Sequence, residues 1–177
     1  MGAKQAKGAA VKHQLLPGQS IELLRELHLV GRDGALHADS LRKLKQVNHL
    51  VQLLQPALLD VRERYATPVL LDAGAGNAYL GFVLYELFLK EPSARGAPQD
   101  LLYSVESRPD LAQRARERAE KLKFDRLRFI EASLEVGAAQ LPERLHMVLA
   151  LHACDTATDD AMALAVRRNA DYIAAVP

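Results

Sequence analysis

Val69-Leu70-Leu71-Asp72-Ala73-Gly74-Ala75-Gly76-Asn77-Ala78-Tyr79-Leu80-Gly81 is the stretch whose reading decides the fold. An apolar run ends in an acid, two glycines follow at alternate positions, and an apolar periodic segment begins. That order predicts a buried strand, a tight turn and a helix. Glycine lets the main chain bend sharply and puts no side chain between backbone and ligand. The amides at the helix start have no partner within the helix and face the same spot. An acid there, with no lysine nearby, suits a ligand carrying a cation and hydroxyls better than a triphosphate.

Working outward, Thr67-Pro68 leads into the strand, and a helix is expected from Ala78 to about Leu89. The segment from Glu91 to Asp100 holds Pro92, Gly96 and Pro98 and reads as a loop. Leu101 to Glu106 reads as a second strand. Ser107 and Asp110 form a capping signature around Pro109, opening a charged helix to about Leu122. Arg128 to Glu131 and Met147 to Leu151 read as the third and fourth strands. Thr156 with Asp159 suggests the cap of a helix to about Arg168, and Asp171 to Val176 reads as a fifth strand. Strands alternating with helices predict an α/β fold: a Rossmann-like, doubly wound, mostly parallel sheet covered on both faces.

Before the sheet, residues 1–16 read as a disordered basic arm and 17–66 as a helical extension, with the Rossmann-like domain over 67–177. Ser20 can cap a helix from Ile21 to about Leu29, closed by Gly31, and Arg32-Asp33-Gly34 reads as a turn. Asp39 or Ser40 then caps a longer helix with Leu41, Leu44, Val47, Leu50, Val51 and Leu54 on one face. Pro56 is expected to interrupt or kink it before the pattern resumes to about Tyr65. Lys43, Lys45, Gln46 and Asn48 read as its solvated face.

The glycine-turn run resembles motif I of the class I S-adenosylmethionine-dependent methyltransferases, an acid followed by three alternating glycines. Asp72, Gly74 and Gly76 match, and Ala78 stands where the last glycine would be. The match extends to a methyltransferase-domain family whose motif I continues Gly-Tyr-Leu and whose fourth strand reads Leu-His-Ala-Cys. This chain has Ala78-Tyr79-Leu80 and Leu151-His152-Ala153-Cys154. A more distant similarity is to tRNA 2′-O-methyltransferases. The resemblance covers roughly residues 41 to 177 and implies S-adenosylmethionine as cofactor, with an RNA or protein acceptor and RNA slightly preferred. The fold it implies has two further strands after the fifth, so C-terminal strands are expected to be missing from this chain.

The resemblance also assigns roles. Asp72, Gly74, Gly76, Asn77 and Tyr79 are the cofactor turn, with Asp72 holding the amino group of the methionine moiety directly or through water. Glu106 can accept both ribose hydroxyls in a bidentate way, as the acid of a dinucleotide site does. Glu131, Ala132 and Ser133 line the adenine. His152 and Asp155 follow the fourth strand, where open parallel sheets bind ligands; either is a candidate general base, and His152 also adjoins the cofactor. Simpler readings compete: Asp155 or Thr156 as a helix cap, Cys154 as a small buried filler, Glu131 as a loop acid.

The bulk numbers set limits. The chain has 177 residues, enough for a sizeable single core. It is 49% apolar and 25% charged, and its net charge of +1 provides no global field toward nucleic acid. Its one cysteine, Cys154, excludes an internal disulfide framework and fits a reducing, cytoplasmic setting. The apolar stretch from Tyr79 to Leu89 is broken by Glu86 and is too short to span a bilayer. The first twelve residues carry three lysines and no apolar core of a signal peptide. His152 and Cys154 fall short of the four ligands of a closed zinc site, so no metal is expected. A nicotinamide oxidoreductase is disfavoured because its third small residue would fall on Tyr79; a non-catalytic methyltransferase-like binding domain is the other alternative.

Overall fold

Five short apolar runs pair side by side and in parallel. The computed structural model describes residues 13–31, 38–91, 100–151 and 156–176. Its strands are β1 (Val69–Ala73), β2 (Leu101–Glu106), β3 (Leu127–Glu131), β4 (Met147–Ala150) and β5 (Tyr172–Ala175), in the order β3-β2-β1-β4-β5. β1 pairs with β2 from Val69↔Leu101 to Ala73↔Val105 and with β4 from Leu70↔Met147 to Asp72↔Leu149. The chain leaves β1 toward β2 and β3, then crosses back to β4. The direction of winding therefore reverses between β1 and β4, beyond whose carboxyl ends such sheets bind ligands.

Alternation along the strands divides the core into two layers. Leu70, Leu102, Met147 and Leu149 point into one cluster, and Leu71, Val105, Val148 and Ala150 into the other. The first layer is covered by α1 (Ile21–Glu26), α2 (Ala38–Arg64), α3 (Tyr79–Leu84) and α4 (Pro109–Leu122). The second is covered by α5 (Leu134–Gly137) and α6 (Thr156–Arg167). Leu44, Val47, Val51, Leu54 and Leu58 bury α2 in the same cluster as the sheet. Lys43, Lys45 and Gln46 are exposed, whereas Asn48 is buried between the Gln19 side chain and the Gln14 carbonyl.

Several local expectations are corrected. α2 runs unbroken through Pro56. Proline removes an N–H and crowds the carbonyl four residues back. Both Pro56 and Gln52 are on the exposed side of the helix, while Leu54, Leu58 and Val61 anchor α2 on either side. α1 stops at Glu26 rather than Leu29. His28 takes the left-handed conformation (φ 54°) expected to need Gly31, and the Leu29 and Val30 amides fold back to the Leu24 carbonyl. Ser20 caps α1 as expected, and Glu86 accepts from its amide and hydroxyl. α3 passes into a π-helical turn, Tyr85–Leu89. α4 starts after Arg108 with Pro109 at its first position and no side-chain cap; Asp110 pairs with Arg114 instead. α5 was too short to show a periodicity, although Ser133 caps it. The turn over 32–34 lies outside the described residues.

The amino end of the sheet is held by polar contacts. Asp171 accepts from Arg64 and the Tyr65 hydroxyl, and Tyr172 donates to Asp60. Arg62 pairs with the fully buried Asp100 at 2.9 Å. Among the described residues, no helix is long and apolar enough to cross a membrane.

Candidate functional site

The turn after β1 is built on three consecutive alternate residues with left-handed backbone: Gly74 (φ 64°), Gly76 (φ 59°) and Ala78 (φ 54°). Alanine at the third position therefore differs from glycine in backbone strain, which costs about 1–2 kcal/mol at such a φ, and not only in bulk. The Ala75 amide donates to the Val105 carbonyl at 3.1 Å, tying the turn to β2. The Ala78 amide closes it on the Ala75 carbonyl at 2.8 Å, and Phe82 makes the first helical bond back to Ala78. Asn77 is exposed, Gly74 and Gly76 are half-buried, and Tyr79, half-buried, opens α3.

Asp72 pairs in register with Ser104, and Glu106 lies two residues further along β2. The strand period places all three on the sheet face covered by α3. Asp72 is 3% exposed. Burial, and then the charge of Glu106, raise its carboxyl to about 7. Gly81 packs directly on this pair: a Cβ on it would stand at van der Waals contact, 3.4 Å from both Asp72 Oδ2 and Ser104 Oγ. The Ser104 hydroxyl is buried without a hydrogen-bond partner. Beneath the turn, a buried acid and a buried hydroxyl thus lie side by side under a glycine.

Glu106 sits at the end of β2, 5% exposed. Its Oε2 accepts the Gly76 amide at 2.7 Å and Arg108 Nη2 at 3.2 Å. Its Oε1 accepts the Arg108 amide at 3.0 Å and Arg108 Nε at 2.8 Å. Burial alone would raise this carboxyl; the Arg108 side-chain and backbone hydrogen bonds, the Gly76 amide and the Arg108 charge outweigh it and hold it below the usual carboxylate range. The two acids therefore differ in kind. Glu106 is a firm anion aimed at the turn, and Asp72 is an acid near its titration point.

Glu131 ends β3 opposite Glu106 in register. It is exposed and paired with Arg116 at 3.2 Å. The Ala132 amide donates to the Glu106 carbonyl at 3.2 Å. The Ser133 hydroxyl is occupied as the α5 cap, accepting from Val136. Asp72, the glycines, Glu106 and Glu131–Ser133 thus gather at the carboxyl ends of adjacent strands. His152, Cys154 and Asp155, between β4 and α6, lie outside the described residues. Sequence reasoning passed over Ser104, Gly81 and Arg108. A lone polar residue in Leu-Leu-Tyr-Ser-Val-Glu, two before the acid, signals Ser104; Arg108 follows that acid at the same spacing.

A parallel sheet reversing beside β1, with a glycine turn bonded to an acid at the end of β2, defines a Rossmann-like α/β fold. The sequence profile of the family described as methyltransferase domain matches residues 42–177, and the chain belongs to that family. Among solved structures, the fold is similar to the SAH-bound methyltransferase PaMTH1 of Podospora anserina, with a TM-score of 0.56 and 14% identity over 96% of this chain and 66% of that one. It is also similar to an rRNA methylase from Streptococcus thermophilus, with a TM-score of 0.51 and 14% identity over 67% of this chain. The chain spans 63% of that methylase's length. No curated protein matches it in sequence.

Proposed function

We propose that this chain forms the S-adenosylmethionine site of a methyltransferase. The observation that carries the reading is the 2.7 Å bond from the Gly76 amide to Glu106, which joins the side-chain-free turn to an anion suited to a ribose. The residues fit the cofactor in charge as well as shape. Asp72 supplies a buried carboxylate for an ammonium group, and Glu106 a carboxylate with both oxygens in use as acceptors. When bound, the cofactor supplies an electrophilic methyl group on sulfur. Gly74 and Gly76 let the backbone approach it, Glu106 orients the sugar, and Ala132 and Ser133 border the adenine. Such transfer depends chiefly on orientation and exclusion of water. His152 or Asp155 is the base we assign to the acceptor, and RNA is the acceptor class we favour, on the resemblance to the tRNA-modifying enzymes alone.

Calorimetry with S-adenosylhomocysteine tests the cofactor site. Wild type binds and Asp72→Ala binds at least about tenfold more weakly, a loss of about 1.4 kcal/mol; equal binding by both sinks the assignment. Transfer of radiolabelled methyl to RNA, protein and small-molecule fractions by the full-length gene product, with His152→Ala and Asp155→Ala beside it, tests the acceptor and the base. Cofactor binding without transfer to any fraction would favour the non-catalytic reading.

A further inference from the structure

Glu106 has its acceptor capacity filled in a particular pattern. A carboxylate offers about two acceptor positions on each oxygen. On Glu106, main-chain amides take one on each: Gly76 on Oε2 and Arg108 on Oε1. The Arg108 guanidinium takes the other on each, Nη2 on Oε2 at 3.2 Å and Nε on Oε1 at 2.8 Å. Two vicinal hydroxyls would need that same pair of positions. The guanidinium also stands over the turn, where a Cβ on Gly76 would lie 3.6 Å from Arg108 Nη2.

We infer that Arg108 is a latch on the diol-gripping edge of Glu106, occupying the positions of two ribose hydroxyls and swinging aside when an adenosine-bearing ligand enters. The inference rests on the cofactor reading above. The side chain has solvent to swing into, being 63% exposed. The carboxylate keeps its pose without it, because both amides are main-chain donors. The pairing also offsets charge, since Glu106 acts on the buried Asp72 and Arg108 sets a cation on one of these two acids. Arg108 thus lowers both the affinity of the site and its preference for a complete ribose over a deoxyribose.

The test is calorimetric, on the full chain, with S-adenosylhomocysteine and its 2′-deoxy analogue as probes. Arg108→Ala binds S-adenosylhomocysteine about three- to fivefold more tightly than wild type, as expected for removing a competing ion pair whose arginine is largely in solvent. The gain on the 2′-deoxy analogue is less than about twofold, since one hydroxyl no longer competes. Arg108→Gln, which keeps polar bulk without the fork, shifts in the same direction. Wild-type binding with equal or weaker binding by both variants, at unchanged thermal stability, overturns the latch and leaves the cofactor site standing. Failure of wild type and variants alike to bind S-adenosylhomocysteine overturns both.

Discussion

Nδ1 of His146 accepts the main-chain N–H of Val69 at 2.9 Å, while the His146 amide donates to the Val69 carbonyl at 2.8 Å. One residue thus clamps the start of β1 twice, with its ring 4.1 Å from that of Tyr65. The clamp needs an unprotonated Nδ1. Burial, and then the Arg144 charge, push this imidazole below its ordinary 6.5. The unfolded chain therefore binds a proton more readily than the folded one, and the contribution present above pH 6.5 is lost as pH falls through the folded value. We expect the stability of wild type relative to His146→Asn to fall between pH 7.5 and 5. The variant keeps an acceptor and removes the titration, and urea denaturation of both proteins reads the difference; a difference that does not change with pH would refute the clamp.

Asp72 has the opposite sign. Its folded value of about 7 lies above the ordinary 3.8, so between those values the folded chain keeps a proton that the unfolded chain releases. Stability falls as pH rises through that window. Asp72→Asn should gain about 4 kcal/mol at pH 8 and little at pH 4, while losing affinity for S-adenosylhomocysteine. Stability traded for function in this way is expected of a charge buried for binding. Urea denaturation of both proteins at the two pH values decides it; a variant less stable than wild type at pH 8 contradicts the burial argument.

Arg62 reaches Asp100 with Nε at 3.0 Å and Nη2 at 2.9 Å, and Asp100 is wholly buried with Oδ1 unpartnered. Removing the arginine leaves a buried charge alone, so Arg62→Ala should cost about 3 kcal/mol. Arg62→Ala combined with Asp100→Asn should cost less than the single change. The double-mutant cycle reads the coupling directly.

Gly76 is left-handed, and a methyl placed on it meets nothing closer than 3.6 Å. The cost of Gly76→Ala is therefore backbone strain, about 1–2 kcal/mol, with the fold retained as the neighbouring left-handed Ala78 shows it can be. Thermal denaturation measures it. A loss far above that range would mean that packing at the turn, not φ, sets the requirement.

Patterns of short range carried most of the fold. Apolar runs at strand length, glycines at alternate positions and capping residues fix local geometry, because each depends on neighbours a few residues away. Leu101 to Glu106 was read with its final bounds, and the other strands to within two residues at either end. Glu106 on the face of Asp72 was likewise implicit in the strand period once the register was known.

What tertiary structure decided was everything that depends on partners distant in sequence. Pro56 continues a helix because it lies on the exposed side while Leu54, Leu58 and Val61 anchor α2 around it. His28 takes the place of a glycine because the chain after α1 must fold back over Leu24. Asp72 and Glu106 are both carboxyls in the sequence; burial beneath Gly81 leaves one near neutrality, and two amides with a guanidinium fix the other as an anion. Composition specifies which groups can ionise, but the surrounding dielectric and donors, set only when β1, β2 and α3 come together, determine which of them does.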